Sequence, residues 1–66
     1  MNPIEDLNVL SALIARVEMT TEIIEDETLT AGFKLALIQL KAARTGMIRS
    51  MRACGMIQQT IQQVVQ

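Results

Sequence analysis

The feature that most constrains the fold of this chain is a long row of apolar or small residues in its second half, between residues 33 and 65. Its members recur at alternating steps of four and three residues, which is the spacing of one side of a helix that packs along another helix. The row consists of Ala36, Leu40, Ala43, Met47, Ser50, Cys54, Ile57, Ile61 and Val64. The spacing therefore predicts one long helix with a packing seam.

A second row with the same spacing, in the first half of the chain, predicts the helix on which that seam packs. Its members are Leu7, Leu10, Ile14, Val17, Thr21 and Ile24. Asn2 is a good N-cap, and Pro3 suits the first helical position, where its missing N–H is not needed. Glu5 follows the cap by three residues, as in a capping box. We predict an all-α fold, an antiparallel helical hairpin with a long second helix, in a single domain spanning residues 1–66.

The boundaries of the two helices are predicted from the acidic run at residues 25–27. Acidic side chains are unfavourable at a helix C-terminus and favourable in the first turn of the next helix. We predict helix 1 at about 3–26, a turn at about 26–30 and helix 2 at about 30–65. Asp26, Thr28 or Thr30 is expected to cap helix 2. Gly32 leaves open an alternative in which helix 1 continues and ends there.

Two glycines, Gly46 and Gly55, could kink or interrupt the predicted second helix. A glycine inside a helix costs about 1 kcal/mol relative to alanine. The apolar row nevertheless passes both glycines without a change of phase, and no proline follows either one. A continuous second helix is therefore the favoured prediction.

The length and composition indicate how such a hairpin is stabilised. A chain of 66 residues forms a small core, and small domains usually need disulfides, metal or association to become stable. The single cysteine excludes an intrachain disulfide, and the absence of histidine makes a structural metal site improbable. We therefore expect the hairpin to be completed into a bundle by oligomerisation or by another helical protein, without a cofactor.

The charges divide between the two halves of the chain. Residues 1–33 carry all seven acidic residues and one basic residue, net −6, and residues 34–66 carry five basic residues, net +5. Such a division is typical of two helices that pair with each other. If the chain reverses near residues 28–29, facing residues have numbers that sum to about 57–59. This register places Glu22 near Lys34, Glu18 near Lys41, and Glu5 or Asp6 near Arg52.

The basic residues of the second helix suggest one alternative function. Lys34, Lys41 and Arg52 lie almost opposite the apolar row, with Arg44 and Arg49 to either side, and the five could form a stripe that contacts nucleic-acid phosphates. The acidic first helix, the isoelectric point of about 5.1 and the lack of stacking aromatic residues argue against it. Nucleic-acid binding by a dimeric four-helix regulator is therefore the weaker alternative.

The C-terminal part of the chain is the predicted contact surface. In the predicted register the N-terminus of helix 1 lies near Cys54. The uncharged segment 55–66 therefore has no part of helix 1 to pack against. The predicted interface consists of Met47, Met51, Cys54, Met56, Ile57, Ile61, Val64 and Val65. The tail is expected to pack on a second copy, to dock on a different protein, or to bend at Gly55 and fold back. We expect Cys54 to be a buried structural thiol, because no histidine is present to activate it.

These patterns indicate a small non-enzymatic protein–protein interaction module, such as an adaptor, a chaperone-like protein or an inhibitory hairpin. Apolar residues on the outer sides of both helices, including Met19, Ile23 and Ile38, leave a second possibility, a structural subunit of a filament or larger assembly. No catalytic motif supports an enzyme. No signal peptide or membrane-spanning stretch is recognisable, so a cytoplasmic location is expected.

Overall fold

A computed structural model of the chain describes residues 2–57, which form two helices packed side by side. Helix α1 spans Pro3–Ile23 and helix α2 spans Glu27–Ala53. The connection is only three residues long, so the second helix must return along the first. The predicted all-α helical hairpin is confirmed for this part of the chain.

The start of α1 is fixed by a side-chain cap. The side-chain oxygen of Asn2 accepts hydrogen bonds from the backbone N–H groups of Ile4 and Glu5, at 3.0 and 3.3 Å. Pro3 occupies the first helical position, as predicted. At the other end, α1 stops at Ile23 and not at about residue 26, because Ile24 is already extended, with φ −75° and ψ 130°.

The start of α2 is fixed by Asp26, one of the three predicted caps. Its carboxylate accepts a hydrogen bond from the backbone N–H of Leu29 at 2.9 Å. The hydroxyl of Thr30 donates to the backbone carbonyl of Asp26 at 2.8 Å, which ties the first helical turn to the connection. The turn therefore lies at residues 24–26 instead of about 26–30, and α2 begins at Glu27 instead of about residue 30.

The end of α2 differs from the prediction. The helix is continuous through Gly46, but it ends at Ala53, so the prediction of a helix that passes Gly55 is wrong. Gly55 has a positive φ of 78°, and its N–H donates to the carbonyl of Arg52 at 3.0 Å. The N–H of Met56 donates to the carbonyl of Met51 at 2.8 Å. This pair of bonds is a Schellman C-cap, which turns the chain off the helix axis. The predicted helical stretch from residue 58 onward lies outside the described residues.

The two glycines of α2 provide a first testable prediction. Gly55→Ala should destabilise the C-cap by about 1–2 kcal/mol, because a Cβ disfavours a left-handed backbone. Gly46→Ala should stabilise the helix by up to about 1 kcal/mol, since the added Cβ meets no atom within 4 Å. Urea unfolding followed by circular dichroism measures both changes. A gain in stability from both variants would show that α2 continues through Gly55 in solution.

The core between the helices is small. Among residues 2–57 only Ile14, at 2% exposure, and Met51, at 5%, are buried. On α1 the predicted row is the one that faces α2. Ile14 is its buried member, and the half-buried members are Leu7, Leu10, Val17, Thr21 and Ile24.

On α2 the row that faces α1 is rotated from the prediction. The half-buried or buried residues of this row are Phe33, Leu37, Leu40, Arg44, Met47 and Met51, whereas Ala36, Ala43, Ser50 and Cys54 are exposed. The predicted seam is therefore wrong at these four residues and right at Leu40 and Met47, whereas its members Ile61 and Val64 lie outside the described residues. The physical reason is side-chain size: Leu37 and Met51 remove more apolar area from water than Ala36 and Ser50.

One of the predicted ion pairs joins the two helices. The Lys41 Nζ lies 2.7 Å from the Glu18 Oε2, and both side chains are about half-exposed. Within the described part of the chain, the predicted pairs of Glu22 with Lys34 and of the N-terminal acids with Arg52 are not formed. At the open end of the hairpin, Pro3 shares a hollow with Gly46, Met47, Ser50 and Met51.

Candidate interaction surface

The described part of the hairpin buries two apolar side chains and leaves many more exposed on its surface. Nine large apolar side chains among residues 2–57 are more than 40% exposed. They are Ile4, Val9, Leu13, Met19, Ile23, Leu29, Leu35, Ile38 and Met56. The geometry is responsible, because two helices share one contact and each can bury only one side against the other.

The ion pair between Glu18 and Lys41 marks one broad side of the hairpin, which we call the charged face. Residues three, four, seven or eleven positions away on a helix lie on nearly the same side. The charged face accordingly consists of Glu18, Glu22, Lys34, Lys41 and Arg52. Acidic side chains on α1 and basic side chains on α2 line this side; Glu18 is half-buried and the other four are exposed.

The opposite broad side has no charge over most of its length, and we call it the uncharged face. On α2, Lys41 follows the core residue Leu40 by one position, whereas Ala43 follows it by three and therefore lies on the other side. The uncharged face consists of Leu13, Leu29, Ala36, Ala43, Met47 and Ser50. Leu13 is 42% and Leu29 is 49% exposed, and Met47 is half-buried.

A regular repeat distinguishes the uncharged face from scattered surface leucines. Leu29, Ala36, Ala43 and Ser50 are spaced by seven residues, so they line up along α2. All four are exposed. Ala36, Ala43 and Ser50 were predicted to lie in the contact within the hairpin. Leu13 and Leu29 were not predicted as surface residues, although the repeat of seven was a signal for Leu29.

Two open hollows interrupt the surface of the described residues. The larger, of about 410 Å³, is lined by Pro3, Gly46, Met47, Ser50 and Met51, at the end of the uncharged face. The smaller, of about 260 Å³, lies beside the turn and is lined by Glu25, Glu27, Thr30, Ala31 and Lys34. No three His, Cys, Asp or Glu side chains in the described part of the chain are grouped to hold a metal ion.

The predicted interface residues are placed in different environments. Met51 is 5% exposed and belongs to the hairpin core, while Met47 is half-buried at the edge of the uncharged face. Met56 is 41% exposed and Ile57 is half-buried. The predicted members Ile61, Val64 and Val65 lie outside the described residues.

The exposure of Cys54 differs from the prediction. The thiol was expected to be buried in the seam, but Cys54 is exposed. Two changes explain this result. The side of α2 that faces α1 is rotated away from Cys54, and the helix ends one residue earlier, at Ala53.

The five basic residues of α2 do not form one free stripe. Lys41 pairs with Glu18, and Arg44 is half-buried in the row that faces α1. Lys34, Arg49 and Arg52 are exposed. The pairing of Lys41 with Glu18 and the half-buried position of Arg44 leave less positive charge for contact with a row of phosphates.

Two further findings concern the class of protein. In the part of the chain that the structure describes, neither helix combines the length and the apolar character that crossing a lipid bilayer requires. No protein-family model matches this chain, and no curated protein or solved structure matches it either.

Proposed function

We propose that this chain is a small non-enzymatic protein–protein interaction module, which acts by packing its helices against those of another chain. One observation carries the proposal. Two side chains are buried among residues 2–57, while nine large apolar side chains are more than 40% exposed. Adaptor, chaperone-like and inhibitory hairpins all need such a surface and need no catalytic pocket.

The energetics of a small hairpin support this proposal. Below about 70–80 residues a single core rarely supplies more than about 3–5 kcal/mol of stability. A second chain that covers part of the exposed apolar surface adds stability in proportion to the area removed from water. Because such a chain binds the folded hairpin and not the unfolded one, folding and binding reinforce each other.

A second candidate function is a structural subunit of a filament or larger assembly. Met19 and Ile23 are 70% and 79% exposed on the outer side of α1, and Leu35 and Ile38 are 58% and 65% exposed on the outer side of α2. Apolar groups on two outer sides permit head-to-tail contacts that do not close on themselves. Nucleic-acid binding remains the weaker alternative, because Lys41 is paired and Arg44 faces α1.

The proposal is tested by the dependence of mass and stability on protein concentration. Light scattering after size exclusion gives the mass, and circular dichroism gives the helix content and melting temperature, across a roughly hundredfold range of concentration. We expect association with a melting temperature that rises with concentration, or a monomer whose helices are only partly formed until a partner binds. A fully helical monomer with a cooperative, concentration-independent melt would overturn the proposal. Mass that climbs without a plateau would favour the filament subunit.

A further inference from the structure

We infer that the partner on the uncharged face is a second copy of this chain, so that two hairpins pack face to face as a symmetric four-helix bundle. This inference rests on the proposed function, since it names the partner and the surface of the same interaction module. It is argued from the charge pattern of the hairpin, from the repeat of small residues along α2, and from the size of the face.

The charge pattern favours self-association on this side. In a twofold dimer the same patch meets itself, so any charge near the axis opposes a like charge. The uncharged face has no charged residue from Val9 to Ile24 on α1 or from Leu29 to Cys54 on α2. It can therefore meet its own copy without repulsion, while the charged face of each copy, with its Glu18–Lys41 pair, stays in water.

The other exposed apolar groups are less suited to this contact. Met19 and Ile23 share the outer side of α1 with Arg16, and Ile38 on the outer side of α2 lies near Arg49. A twofold contact on either outer side would remove these arginines from water, and it would have to place them against the acids that share those sides, Glu5 on α1 and Glu27 on α2, of the other copy. The uncharged face needs no such pairing.

The small residues of the uncharged face have no role inside the hairpin. Ala36, Ala43 and Ser50 are exposed, although their repeat of seven is the spacing of residues along a helix–helix seam. Small side chains let another helix approach to about 8 Å, the short end of the range of helix separations. The exposed Leu13 and Leu29 supply the larger side chains that would fill the space between two such helices.

The broad side of the hairpin that carries the uncharged face is close to the lower size limit of a stable interface. A helix of 21 residues, such as α1, is about 31 Å long, and two helices side by side are about 20 Å wide. The flat footprint is thus on the order of 600 Å², and the relief of the side chains raises the accessible area above that value. Specific dimers bury about 800 Å² on each partner.

The test compares two adjacent alanines of the full chain. Ala43 lies on the uncharged face, and Ala42 lies on the outer side of α2; both are exposed. Ala43→Glu should raise the dissociation constant of the dimer at least about 100-fold, because the symmetric interface would hold two unpaired carboxylates. Ala42→Glu makes the same chemical change outside the interface and should leave the dimer intact. Ala36→Glu is a second variant on the uncharged face, and light scattering across a range of concentrations measures all three.

The possible results separate this inference from the proposed function. A dimer that Ala43→Glu and Ala36→Glu dissociate, and that Ala42→Glu preserves, supports both. An oligomer that persists in all three variants overturns the inference, and the chain would then associate through a different surface, as the proposed function allows. A partly helical monomer also overturns the inference and leaves a different protein as the partner. A fully helical, concentration-independent monomer overturns both. Circular dichroism of the dissociated variants shows whether the hairpin itself survives the substitution.

Discussion

Ile14→Ala is expected to cost about 2–5 kcal/mol, the usual loss for truncating a buried isoleucine. Ile14 is 2% exposed, the lowest value among the described residues, and it lies at the middle of α1. A two-helix core has few other side chains to compensate for the cavity, and the loss is comparable to the whole stability of a small domain. We expect most of the helical signal at 222 nm to disappear at room temperature, as measured by a thermal melt at fixed protein concentration.

Ile23→Ala is the matched control for this prediction. It makes the same substitution in the same helix, but Ile23 is 79% exposed. Surface substitutions usually change stability by no more than about 0.5 kcal/mol. Equal losses from the two variants would show that α1 presents a different side to α2, and the register of the hairpin would be wrong.

Met51→Ala is expected to have the second largest effect. Met51 is 5% exposed in the last turn of α2, and it shares a hollow with Pro3 at the start of α1. Truncating a buried methionine costs about 2–5 kcal/mol, and a site near the open end of a hairpin can relax, which favours the lower part of that range. The loss should also loosen the C-cap, because the Met51 side chain packs the last turn of α2, and the backbone carbonyl of that turn accepts the N–H of Met56.

Two measurements distinguish a local effect of Met51→Ala at the end of α2 from destabilisation of the whole hairpin. The urea midpoint gives the change in stability, and hydrogen exchange of the last α2 amides reports on the C-cap. Met19→Ala is the control, since Met19 is 70% exposed on the outer side of α1. If Met19→Ala lowers the midpoint as much as Met51→Ala does, Met51 is not part of the core.

The two core predictions address the contact inside the hairpin, and the test of the uncharged face addresses its outer surface. Ile14→Ala and Met51→Ala act inside one hairpin and should weaken it at any concentration. Ala43→Glu adds a charge to a residue that is exposed in the hairpin, so it should spare the isolated hairpin and affect association. A variant that separates folding from association in this way would locate the partner surface directly.

Much of the hairpin could be predicted because it depends on local chemistry. The Asn2 cap and the proline after it fix the start of α1, and the three-four spacing through Ile14 defines the side that α1 buries. Asp26 was among the expected caps of α2 because a short acidic side chain suits a helix N-terminus. The Glu18–Lys41 pair followed from acidic residues on one helix and basic residues on the other.

The sequence by itself thus determined that there are two helices, where α1 begins, and which side of α1 is buried. Only the tertiary structure decided which side of α2 faces α1 and where α2 ends. The residues of α2 supply two neighbouring rows, one of small side chains through Ala43 and one of larger side chains through Leu37 and Met51. The helical spacing of apolar residues does not show which of two adjacent rows is buried, because that depends on how the side chains of each row pack against those of α1. Nor does it decide the end at Gly55, because a glycine costs only about 1 kcal/mol relative to alanine inside a helix and is also the preferred residue of a left-handed C-cap.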